Sequence, residues 1–152
     1  MWKSAERENT LENTINLLKE CNAGCKSATN SMEQVLGYVN NDKLKNVIND
    51  YNDKHIKIGD ECHSLLNRYG SDEKDPQTMA KAMSFISTEV KMMTDNKNQK
   101  AAEIMMDGCN MGIKNVSGYI NKYTHANTDS VDLANRIVKL EQSFIEDLRA
   151  FL

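Results

Sequence analysis

Proline is almost absent from this chain, with one residue in 152. Glycine is scarce at seven residues, and aromatics make up only 6%. So few chain breakers, beside 27% charged residues, suit long helices and leave no credible strand. No apolar run approaches the roughly 20 residues of a membrane span. The net charge is -3, and acidic and basic residues alternate instead of clustering. A phosphate backbone needs a basic stripe, so the composition argues against a nucleic-acid partner. The opening Met1-Trp2-Lys3-Ser4-Ala5-Glu6-Arg7 lacks the apolar core of a signal peptide, which makes the cytosol the expected compartment. There, four cysteines read as thiols, not disulfides, and their spacing fits no standard zinc motif. Glycine-rich phosphate loops and a Ser/His/acid trio are missing too. The length fits one domain over residues 1–152, which can bury about two thirds of its unfolded surface.

What the chain does have is helical periodicity. Leu44, Ile48, Tyr51, His55, Ile58, Cys62, Leu65 and Tyr69 follow each other by alternate steps of four and three. That spacing places all eight on one stripe of a helix expected from about Lys43 to Tyr69. A first helix is expected from about Ser4 to Val39, with Leu11, Ile15, Leu18, Asn22, Cys25, Thr29, Met32, Leu36 and Val39 on its stripe. Asn40-Asn41-Asp42 joins these two, and so short a connection requires them to run antiparallel. Asp75-Pro76 is a helix start, opening a shorter helix over Pro76 to Met93. A further long helix is expected from about Lys97 to Tyr123, with Ala102, Met105, Cys109, Gly112, Val116, Tyr119 and Tyr123 on one stripe. Gly108 and Gly112 lower its propensity by about 1 kcal/mol each, which suggests close backbone approach. The last helix, capped by Thr128 or Asp129, carries Leu133, Ile137, Leu140, Phe144, Leu148 and Phe151, with Glu141 on the flank. The sum is all-α: an antiparallel four-helix bundle with an additional short helix before the third long one. The methionines read as core filling.

The middles of these stripes are chemically out of place. Asn22 and Cys25, Tyr51 and His55, Cys109, and Glu141 all fall near mid-helix, where antiparallel pairing would bring them to one height. Such groups are costly in a core unless they satisfy one another or bind something. Three explanations stand. Tyr51, His55, Asn22 and Glu141 could form a self-satisfied hydrogen-bond network, with or without a trapped water. Histidine, thiolate and carboxylate could hold a metal such as zinc or iron. Cys21 and Cys25, one turn apart, could do thiol redox chemistry, which requires an exposed thiol of lowered pKa. His63 and His125 fall on no strong stripe and are expected to face solvent, as are Asp50 and Asp53.

Helix order, the short helix before the third long one, and the stretch Met106-Asp107-Gly108-Cys109-Asn110-Met111-Gly112 resemble the ferritin-like superfamily. The likeness runs from about Thr10 to Leu152 and is nearest to a bacterial family of short four-helix bundles of unknown function. In di-iron members, two helices give a Glu each, and the other two give a Glu followed three residues later by a His. Here His55 is preceded at that distance by Asn52, and Glu141 is followed by Phe144. The remaining ligand positions hold Cys25 and Cys109. The resemblance therefore implies a degenerate di-iron site in a non-catalytic binding or structural module. Alternatively, Cys25, His55, Cys109 and Glu141 could hold one zinc or iron ion. Pairing through a helix face, to give a homodimer, is the expected self-association.

Overall fold

The computed structural model describes residues 2–72 and 95–152. Within them lie four α-helices: α1 Trp2–Leu36, α2 Asp42–Arg68, α3 Lys97–Lys122 and α4 Thr128–Leu148. A 3-10 turn, Arg149–Phe151, ends the chain. No strand occurs among the described residues. The short helix expected over Pro76 to Met93 lies outside them.

Local chemistry sets the helix ends. Asn41 has extended backbone, and its side chain accepts from Leu44 N at 3.0 Å, capping α2. At the other end Gly70 takes φ +65°. Its N–H donates to Asn67 O, and Ser71 N–H donates to Leu66 O, the paired bonds of a Schellman cap. That conformation is one glycine adopts at no steric cost. The cap of α4 is Asn127, not Thr128 or Asp129. Its side chain accepts from Ser130 N at 2.9 Å, because an asparagine just outside the first turn reaches the third backbone N–H.

α1 packs on α2 and α3 on α4, with further contacts of α1 on α3 and of α2 on α4. Polar clasps hold each end. Asn98, in the first turn of α3, accepts from the N–H groups of Asn40 and Asn41 at 3.0 and 3.2 Å. Asn127 N–H donates to Thr14 of α1 at 2.9 Å, and its side-chain amide donates to the Tyr69 hydroxyl at 2.8 Å.

The apolar interior forms two clusters. One gathers Met32, Val35, Leu44, Ile48, Tyr51, Met105, Cys109, Phe144 and Leu148. The other gathers Leu17, Cys21, Cys25, Ile58, Cys62, Val116, Leu133 and Ile137. Along α2, His55 falls between the clusters; along α4, Glu141 does. The stripe predicted on α2 is buried from Leu44 to Cys62, after which Leu66 replaces Leu65 as the buried residue. On α1 the expected core residue Leu11 is 43% exposed, and Leu17 is buried instead.

Candidate functional site

Three helices each bring one polar or thiol group to the boundary of the two apolar clusters. His55 stands on α2 at the centre of its stripe and is 1% exposed. Its Nδ1 donates to the Tyr51 carbonyl one turn earlier, at 2.6 Å. Its Nε2 lies 2.9 Å from Glu141 Oε1 on α4. Glu141 is 6% exposed, so this is a buried contact between potentially charged groups. The Cys109 thiol, from α3, donates to the same carboxyl. Glu141 runs beside Gly112, about one turn on from Cys109. A Cβ built at Gly112 would stand 3.4 Å from Oε1 and 3.5 Å from Cδ, so the carboxyl lies along bare helix backbone.

Tyr51 contributes its backbone to His55 and its phenol elsewhere. The hydroxyl donates to Asp147 Oδ2 at 2.6 Å, and the ring stacks on Phe144 with centroids 4.4 Å apart. Burial, then the bond and charge of Asp147, push the phenol above its ordinary pKa.

Cys25 belongs to a neighbouring group. Its Cβ would lie 3.4 Å from a Cβ at Gly59, so α1 and α2 approach closely there. Burial raises the Cys25 thiol, with smaller contributions from Cys62, Cys21 and, last, Glu141. Burial likewise raises Cys21, with Cys62 next, and pushes Cys62 up to about 12. All four thiols are free and buried. A reactive cysteine needs exposure and a lowered pKa. The redox reading of Cys21 and Cys25 therefore meets the opposite environment at both positions.

Of the four residues read from the sequence as a possible metal set, three are joined by hydrogen bonds: His55, Glu141 and Cys109. Cys25 is close enough to feel the carboxylate but shares no bond with it among those described. Among the described residues, no group of three or more His, Cys, Asp and Glu stands so as to hold a metal ion. A di-iron centre also does not fit the donors present, because both ring nitrogens of His55 are already engaged and the site offers one carboxylate. Asn22, expected to join the network, is 2% exposed, and its Nδ2 has no partner among the described residues. Asn52 Oδ1 is in the same condition. His63 and His125 face solvent, as expected.

Sequence reasoning missed Asp147 and the pairing of Gly112 with Glu141. The first could have been found three residues after Phe144, on the side of α4 that meets Tyr51. Gly112 was noticed as a helix glycine, with no means of pairing it with Glu141. An open cleft of about 370 Å³ lies elsewhere, lined by Lys3, Arg7, Leu11, Tyr69 and Asn127 among others. None of its lining residues belongs to the His55–Glu141–Cys109 group.

The architecture and its buried polar centre define an all-α four-helix bundle. A particular likeness is to the crystal structure of a DUF305 fragment from Deinococcus radiodurans, DUF standing for domain of unknown function. The TM-score is 0.73 at 10% sequence identity, over 91% of this chain and 93% of the other. At that identity the likeness concerns the fold. No protein-family model and no curated protein matches the sequence. No described helix is long and apolar enough to cross a membrane.

Proposed function

We propose that this chain is a non-catalytic binding or structural module with a ferritin-like helix order, and that its central polar group is a self-satisfied network on a degenerate di-iron site. The end clasps support the helix order. Asn98 ties the start of α3 to the α1–α2 connection, and Asn127 ties the start of α4 to early α1 and late α2. Both ties fit a bundle in which α1 and α4 run one way and α2 and α3 the other. Such an order is an antiparallel bundle with one long crossover, the ferritin-like arrangement.

The observation that carries the functional reading is the engagement of both imidazole nitrogens, by the Tyr51 carbonyl and by Glu141. A ligand histidine instead keeps one nitrogen for the metal and bonds the other outward. On this reading the protein works in the cytoplasm of a bacterium, without nucleic acid, and pairs with a second copy through a helix face. Elemental analysis of protein purified without chelators tests it. The expected result is no stoichiometric metal. One ion of zinc or iron per chain, lost in His55→Ala, would overturn it in favour of a metal-binding bundle.

A further inference from the structure

We infer that the open cleft beside the start of α1 is a binding site for a small organic anion, one that carries a carboxylate or phosphate head on a short apolar body. The cleft holds about 370 Å³ and shares no lining residue with the His55–Glu141–Cys109 group. Ligand pockets begin at roughly 300 Å³, so the space suits a compound as small as an aryl acid.

Helical spacing explains the chemistry of its α1 wall. Lys3, Arg7, Leu11 and Thr14 follow each other by steps of four, four and three, and so share one stripe of α1. The same stripe continues inward through Leu18, Cys21 and Cys25, which are buried. Thr14 is its last buried residue toward the N-terminus, at 1% exposure. Beyond it Leu11 is 43% exposed, and Arg7 and Lys3 are exposed. A face that is apolar in the core thus turns cationic past the tied end of the bundle. Neither Lys3 nor Arg7 forms an ion pair among the described residues. Glu6 also lines the cleft, which leaves two cations against one carboxylate there.

The opposite wall adds a directed donor. The side-chain amide of Asn127 donates to the Tyr69 hydroxyl at 2.8 Å, so the phenol serves as acceptor in that clasp. A phenol also donates once, and its own hydrogen remains for another acceptor. Arg7 presents a planar fork of N–H donors that matches two oxygens of a carboxylate or phosphate, and Lys3 adds a point charge. Leu11 lines the same cleft and offers the apolar body a surface to cover.

This assignment gives a ligand class to the binding role proposed above and rests on that role, but not on the state of His55 and Glu141. A metal at the waist would sink the reading of that centre and leave the cleft standing. The test titrates the full isotope-labelled chain with phenyl phosphate and, separately, with phenylacetate, and follows the amide NMR signals. Benzyl alcohol and inorganic phosphate stand for the neutral body and the bare head. At least one of the two acids should give saturable shifts, largest at Lys3 to Thr14, Tyr69 and Asn127 and small at Leu44, Ile48 and Leu148. The tighter of the two identifies the head. Arg7→Gln removes a charge at an exposed position without touching the clasp, and should weaken binding about tenfold or more. Added salt should weaken it too. A lack of saturable shifts, or shifts scattered over the whole surface, would overturn the proposal. So would equal affinity in Arg7→Gln, or binding of benzyl alcohol or inorganic phosphate as tight as that of the acids.

Discussion

Replacing His55 by leucine removes the partner of a carboxylate whose side chain is only 8% exposed. Glu141 would keep the Cys109 thiol as a donor but lose its charge-assisted bond. Bonds to charged groups contribute about 1.5–3 kcal/mol, and the buried group left behind adds its desolvation penalty. Breaking one side of a buried pair costs about 3–5 kcal/mol in all. His55→Leu should therefore lose about that much, a large fraction of the ~5–15 kcal/mol typical of a domain. Glu141→Met should lose less, because an uncharged imidazole keeps its Tyr51 bond. The double variant should be more stable than the sum of the two losses implies, by roughly 2 kcal/mol or more, because no orphan charge remains. Urea unfolding followed by circular dichroism at pH 6 measures all four corners of this cycle. A loss below about 1 kcal/mol for His55→Leu, or simple additivity in the double variant, would refute the reasoning.

Three other expectations follow from the same geometry. A Cβ at Gly108 or Gly24 would meet nothing within 4 Å, so alanine at either position should stabilise by about 0.5–1 kcal/mol in thermal or urea melts. Gly70→Ala, at φ +65°, should destabilise by about 1 kcal/mol. The four buried thiols titrate higher in the folded state than free cysteine near 8.5. Their contribution is complete below that pH and is lost as pH rises through the folded values. For Cys62 that window runs to about 12, and Cys62→Ala should make the alkaline unfolding curve shallower by up to one proton. Asn22→Leu keeps the branching of the side chain and removes a buried donor with no partner among the described residues, so its urea midpoint should rise by the equivalent of about 1 kcal/mol. A fall would mean that the amide is satisfied.

Periodicity alone was enough to locate the four described helices and most of the buried stripe on α2, from Leu44 through Cys62. It failed at the far end, where Leu66 replaced Leu65. Alternating steps of four and three average 3.5 residues, and a straight helix drifts about 20° per heptad from that repeat. Leu11 was misplaced because its helix extends to the open cleft, which Leu11 lines. The site was legible as a set of misplaced polar residues at mid-helix. Which residues meet was not, because the vertical register of α2 against α4 depends on the Asn127–Tyr69 clasp and on packing. Glu141 reaches His55 across Gly112, and nothing in the local spelling of either helix encodes that passage.

The belt between the two greasy layers also limits how the helices can slide. A shift of α4 by one turn along α2 would set Ile137 or an adjacent apolar side chain against the imidazole and leave a carboxylate stranded in hydrocarbon. Purely apolar seams tolerate such slips at little cost, whereas one matched pair of polar teeth admits a single alignment. The same two residues that weaken the interior as insulation thus give the four rods their indexing mark.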